Sequence, residues 1–489
     1  MPSDAVPGDR EATVPGSQDL FAPIFTSDAV AAATDGGAWA AAILTFEREL
    51  ARAEAEEGVV PPAAADAIAA ASGDLRLAPG ALADGARVAA NPVVPLVRAL
   101  TAAVDAGGGT GHGAWVHFGA TSQDALDTAA MLVAKGACRL LLADAGAAAD
   151  AGAALARAHR RTVMAGRTLL QQALPITFGL KAAGWTVGLL EAAAALDRVV
   201  DERLAVQLGG AAGTLASLGD RGPAVSSRLA GRLGLAAATL PWHTERGRVG
   251  ELAAALAVLA NAGAKVALDV VLLAQSEVGE VAEGGGAGHG VSSTLPHKSN
   301  PATSVAVLGA ARRAHGAATV LLASGVQDHE RAGTGAWHAE WQSLTDLLRA
   351  AGGCVAGTRA VLERLHVDGD RMAANLERSH GVLVAERVAL DLAPDLGRTR
   401  AAEVVRAASR RALAGGCSLR LALADDDEVT GRRSPEALDE LCRPDGYLGA
   451  ADVLVERALA LHDDRRGGAG CPGARGPRGE GREEGEVSR

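Results

Sequence analysis

Four stretches of this chain, residues 127–159, 181–208, 249–283 and 302–326, contain no proline and are dense in alanine and leucine, with charges spaced along them. Runs of that kind predict helices, because nothing in them removes a backbone donor or breaks the 3.6-residue period. At ~1.5 Å per residue the 249–283 run alone would extend on the order of 50 Å. That exceeds an ordinary globular helix and points to a bundle. Alternating β-branched runs are nearly absent, so strands should be few. Aromatic residues make up only 2% of the chain although 48% is hydrophobic. The core must therefore be Ala, Leu and Val, which lets helices approach closely. The expected fold class is all-α.

Length and charge narrow the rest. A chain of 489 residues carries a soft prior of about three domains. A net charge of −11 argues against a nucleic-acid binder, which needs a basic face. The opening "MPSDAVPGDREATVPGSQDL" lacks a basic start followed by an apolar run, so no secretory signal is visible. The most apolar region, 252–274, contains Asn261, Lys265 and Asp269 and makes a poor membrane span. The five cysteines are scattered, with no metal-ligand spacing and no disulfide framework. A soluble cytoplasmic protein is expected, without nucleic-acid or membrane partners or a metal site. The expected organisation is a tail over 1–18, an N-terminal helical domain over 19–110 and a central long-helix domain over 111–362. A C-terminal helical domain over 363–465 follows, then a Gly- and charge-rich tail over 466–489.

Four polar loops interrupt the helices: "WVHFGATSQD" (115–124), "GRTLLQQALPITFG" (166–179), "GVSSTLPHKSNP" (290–301) and "QDHERAGTGAWHAEW" (327–341). Each has a plain structural account. Thr121 and Asp124 have capping-box spacing, Pro175 and Gly179 suit turns, and Pro301 suits a helix start. Ser292 and Ser293 suit caps, Lys298 could pair with Glu277 or Glu280, and Arg331 with Glu330 or Glu340. Four loops carrying Ser, Thr, Gln, His, Lys and Arg together also suit one cleft at a level of helix ends. "GGGAGHG" is neither a P-loop nor a dinucleotide fingerprint, since no Gly-Lys-Ser/Thr follows and no strand precedes it.

"GVSSTLPHKSNP" resembles the signature loop of the fumarase/aspartase superfamily, commonly Gly-Ser-Ser-x-Met-Pro-x-Lys-x-Asn-Pro. Here Val291 is inserted and Leu295 stands for Met. With "NPVVPLVRAL", "VHFGATSQDALDTA", "GRTLLQQALPITFGLKAAGW", "QLGGAAGTLASLG", "PWHTERGRV", "HERAGTGAWHAEW" and "GYLGAA", the chain is similar to the bacterial 3-carboxy-cis,cis-muconate cycloisomerases over roughly residues 20–460. The resemblance implies a three-part helical fold with a long central bundle, a homotetramer whose clefts combine loops of three subunits, and a small polycarboxylate substrate. The implied reaction is lactonisation of a tricarboxylate diene in protocatechuate breakdown. Adenylosuccinate lyases, the nearest rivals, read Gly-Arg-Thr-His-Gly-Gln where this chain has Leu169. A lyase expelling an amine needs that second acid/base. A lactonising carboxylate, with a reference pKa of about 4, is already ionised near neutrality. A non-catalytic helical oligomer is the reading from another class, opposed by intact Ser292, Lys298 and Asn300.

The resemblance assigns Ser292 to proton transfer. Lys298 is expected to stabilise the developing dianion, with Asn300 beside it. Arg331 would clamp a second carboxylate with its planar fork. Thr121 and Ser122 would donate hydroxyls at a helix N-terminus, and Gln171 and His117 would complete the pocket.

Overall fold

The structure is a computed structural model that describes residues 20–108, 111–284, 298–331 and 333–469. The elements needed below are α1 (Gly36–Glu56), α2 (Ser122–Ala158), β1 (Val163–Thr168), β2 (Gln171–Thr177), α3 (Phe178–Glu202), α4 (Gly247–Leu273), β3 (Val281–Glu283), α5 (Ala302–Ala323), α6 (Ala336–Arg364) and β4 (Leu365–Val367). The chain is all-α, as its sequence predicts. Among the described residues, strands are confined to the antiparallel β1–β2 hairpin and the β3–β4 pair.

The chain divides into two compact units. The first takes residues up to 146 together with 192–272 and 283–364. Its core is aliphatic: Ile43, Leu50, Leu96, Leu141, Leu196, Leu256, Leu259 and Leu347 are buried among many alanines. Small residues let its helices nearly touch. A Cβ on Gly263 of α4 would lie 2.6 Å from the Thr358 hydroxyl of α6, and one on Gly357 would lie 2.5 Å from a Val307 methyl of α5. The low aromatic content thus becomes short interhelical distances.

The second unit takes 147–191, 273–282 and the residues from 365 onward. It contains the β1–β2 hairpin and a smaller helical core around Val388, Leu392, Val404, Leu419 and Leu423.

Three sequence expectations need correction. The 249–283 run is not one helix: α4 stops at Leu273, and residues 281–283 form β3. The Gln275 carbonyl accepts the Val278 and Gly279 amides, and Gly279 takes φ +62°, which terminates helical pairing. Glu280 is then fully buried and bound by Arg167 and Asn375. A continuous helix would forfeit that arrangement. The 166–179 stretch is a hairpin rather than a loop, since Val163 pairs with Thr177 and Met164 with Ile176. Pro301 stands at the N-cap position, one residue before α5, where its carbonyl accepts the Val305 amide, rather than being the helix's first residue.

Among the described residues, α4 is the one helix long and apolar enough to cross a membrane. Its buried face, including Val249, Leu252, Leu256 and Leu259, packs in the first unit's core.

The closest backbone approach supplies a test. A Cβ on Gly353 of α6 would fall 2.2 Å from the Phe25 carbonyl oxygen. Gly353→Ala is expected to cost about 1–3 kcal/mol of stability, measured as a lowered denaturation midpoint.

Candidate active site

The first turn of α2 is anchored by a buried carboxylate. Asp124 has no solvent exposure. Its Oδ1 accepts the Gly209 amide at 3.0 Å and the His243 Nε2–H at 2.7 Å. Its Oδ2 accepts the Gly210 amide at 2.9 Å and the Thr121 amide at 3.0 Å. The Thr121–Asp124 bond is half of the capping box read from the sequence. The other three donors come from segments far along the chain. Gly210 needs φ +68°, and a side chain on Gly209 would run into His243 and Pro241. The "QLGG" and "PWH" segments are therefore shaped to meet one acid.

One helical turn on, Asp127 anchors a second network. Arg246 forks onto its carboxylate at 2.8 and 3.1 Å, and reaches Glu340 of α6 through Nε at 3.1 Å. The Trp337 indole also donates to Asp127, at 2.9 Å. Gln123 donates to Asp127 at 3.3 Å and Gln327 to Glu340 at 2.8 Å. Burial opposes the Arg246 charge, but Asp127 and Glu340 hold its pKa above the usual guanidinium range. Gln327 begins the segment that carries Arg331. Within that segment Asp328 ties back to the Gly333 and Thr334 amides. Two acids on successive turns of α2 thus fix the Thr121–Ser122 corner and the root of the Arg331 loop.

The predicted residues fall as follows. Thr121 is buried at the corner, with Ser122 half-buried beside it. His117 sits just upstream at φ +59°, with Nδ1 2.6 Å from Glu47 Oε1 of α1. Lys298 is exposed, and Asn300 and Arg331 are half-buried. All six belong to the first unit, whereas exposed Gln171 opens β2 in the second. Ser292, and with it the proton-transfer assignment, lies outside the described residues.

The plain ion-pair alternatives can now be weighed. Glu280 is occupied by a bidentate Arg167 at 2.7 and 2.8 Å and by Asn375 at 2.8 Å. Glu340 is occupied by Arg246 and Gln327. Among the described residues, Lys298 and Arg331 enter no ion pair. Two cations that find no acidic partner among the described residues suit an anionic ligand. The α5 N-terminus is already filled, because Glu283 accepts the Thr303 and Ser304 amides at 3.0 and 2.7 Å. Positive charge near that end must come from side chains.

From the sequence, Asp124 is only a cap partner of Thr121 and Glu340 only an alternative partner for Arg331, while His243 and Arg246 carry no expected role. The visible signal was a charged cluster, "HTERGR", before an apolar helix. A cavity of about 410 Å³ in the first unit is lined by Trp39, Ile43, Leu126, Trp341, Thr345 and Arg349, and by none of the predicted site residues.

The β1–β2 tip is unusual. Thr168 pairs with Gln171, so Leu169 and Leu170 are the two turn residues, at φ +49° and +65°. Such turns favour Asn-Gly. Here two leucines occupy it, 97% and 73% exposed.

Comparison with known proteins follows the same lines. Residues 30–316 match the family described as lyase, and residues 381–458 match the adenylosuccinate lyase C-terminus. The chain belongs to the lyase family of the fumarase/aspartase superfamily. A 3-carboxy-cis,cis-muconate cycloisomerase of Bradyrhizobium diazoefficiens is 45% identical over 90% of this chain and 97% of its own. A nitrosuccinate lyase of Streptomyces davaonensis is 45% identical over 91% and 95%. The crystal structure of the Pseudomonas putida 3-carboxy-cis,cis-muconate lactonizing enzyme superposes with a TM-score of 0.85 at 39% identity, covering 91% of this chain and 99% of that one.

The Arg246 network yields a direct test. Arg246→Met leaves two buried carboxylates facing each other and is expected to cost about 3–5 kcal/mol. Hydrogen exchange should accelerate at residues 121–124 and 327–334 together. Acceleration in one segment alone would contradict the shared anchoring.

Proposed function

We propose that this chain is a 3-carboxy-cis,cis-muconate cycloisomerase, an intramolecular lyase that closes a tricarboxylate diene to 4-carboxymuconolactone. The supporting observation is the joint one: several cycloisomerases at 38–45% identity over most of their length, with Leu169 standing where an amine-expelling relative carries histidine.

The chemistry follows from charge. One substrate carboxylate oxygen adds across the conjugated double bond. The electron pair moves onto the carbon next to another carboxylate, giving an aci-carboxylate dianion. Lys298, with Asn300 beside it, stabilises that dianion. Arg331 clamps a second carboxylate, and Thr121 and Ser122 donate to the third. Ser292 O–H delivers the proton to carbon; in the reverse direction its alkoxide removes it. Gln171 and His117 complete the pocket. The trianion becomes a dianionic lactone, so each turnover takes up one proton from solution. No step calls for a metal or an organic cofactor.

The relative acting on nitrosuccinate supports a second reading. Nitrite is a weak base and leaves without an acid to protonate it, so Leu169 excludes amine elimination but not nitrite elimination. The deciding experiment offers the purified protein both substrates. Loss of the diene's ultraviolet absorbance with one proton consumed per ring supports the cycloisomerase. Nitrite release without ring closure replaces it. With the diene, Ser292→Ala is expected to lower kcat at least ~100-fold, in the range of lost acid–base catalysis.

Self-assembly is part of the same proposal. The apolar window of α4 has a mean hydropathy of 1.9 but is only 44% buried within one chain. Val258 and Leu268 of α4 and Val305 and Leu322 of α5 stand exposed. Burying such side chains against other copies is worth about 1.5–3 kcal/mol each. A soluble homotetramer in the cytoplasm, with clefts completed by neighbouring copies, accounts for them. Leu268→Glu with Val258→Glu should lower the mass in light scattering and abolish turnover. An active monomer would overturn this arrangement.

A further inference from the structure

His117 stands at a corner the proposed function assigns to substrate, and its ring is not free to rotate. Nδ1 lies 2.6 Å from Glu47 Oε1. The Glu47 side chain has no solvent exposure, while 16% of the His117 side chain remains open. Once Nδ1–H donates to Glu47, the only other polar atom of the ring is Nε2. A neutral ring with that tautomer presents Nε2 as an acceptor, which repels a carboxylate. A doubly protonated ring presents it as a donor. The partner of Nδ1 therefore decides whether the ring can bind an anion.

The surroundings make Glu47 the controlling group. Its Oε2 has no partner, so the imidazole is the polar contact its carboxylate has. Two turns along α1, Glu54 is buried with neither oxygen hydrogen-bonded. Burial, then the nearby Glu47 charge, pushes Glu54 up to about 9, so it is neutral where Glu47 is paired. On α2, Asp124 faces the same ring but is itself held by four donors, His243 among them. Burial alone would lower the His117 pKa. Glu47, through its charge and its hydrogen bond, and then Asp124 reverse that and raise it.

We propose that Glu47 is a positioning residue for the reaction: it fixes the His117 ring through Nδ1 and keeps Nε2–H a donor to a substrate carboxylate. This role rests on the polycarboxylate reading of the site.

The test is Glu47→Gln, which keeps an acceptor and removes the charge. With ¹⁵N-labelled histidine in the full-length protein, the His117 titration midpoint should fall. KM for the tricarboxylate diene should rise about ten- to a hundredfold, the worth of a charge-assisted hydrogen bond, with kcat changed less than about threefold. The raised-pKa group binds substrate while protonated, so binding is lost as pH rises through its midpoint. In the variant the alkaline limb of kcat/KM should move to lower pH. Glu47→Asp should restore part of both effects, and Glu54→Gln should leave the His117 midpoint in place. An unmoved midpoint in Glu47→Gln, or a loss in kcat with KM intact, would overturn the proposal. If the parent turns over no diene, the functional reading fails separately, and the ring titration still decides the pairing.

Discussion

A single buried carboxylate organises the candidate site. Asp124 collects donors from its own helix start, from the Gly209–Gly210 turn and from His243. A buried charge is tolerable only when its lone pairs are satisfied. Each of those segments must therefore arrive in the right place for the helix to begin where it does. The long helices provide rigidity, but the acid determines which loop residues meet at their ends.

The Arg246 network extends the same logic one turn further. Pairing a buried guanidinium with two acids adds little net stability, because desolvation offsets much of the attraction. Its consequence is registry. Trp337 and Glu340 cannot shift along α6 without unpairing Asp127 or Arg246, and Gln327, in the segment before α6, is tied to Glu340. The Arg331 segment thus springs from a fixed root although it carries few internal bonds itself.

Much of this was legible in the residues. Proline-free, alanine-rich runs announced the helices, and the scarcity of aromatics announced their close approach at Gly263 and Gly357. Thr121, Ser122 and His117 belong to one polar segment, 115–124, at the start of α2. What escaped was long-range. Nothing local in "EVGEVAE" says that Glu280 will turn inward to meet Arg167, over a hundred residues earlier, and end a helix in doing so. Likewise the Thr121–Asp124 spacing reads as a cap, and only the folded chain reveals its other donors. Periodicity reports the neighbours of a residue in sequence; a charge pair joins residues whose separation no period encodes.

The hairpin tip deserves a last comparison. Leu169 and Leu170 both occupy left-handed backbone, a region leucine resists while glycine enters freely and histidine is enriched there. The amine-expelling relatives resembled by this chain place histidine and glycine at those positions. For the peptide backbone, a change from Leu-Leu toward His-Gly is therefore downhill. At this turn the backbone already holds the conformation that a histidine followed by a glycine adopts with least strain.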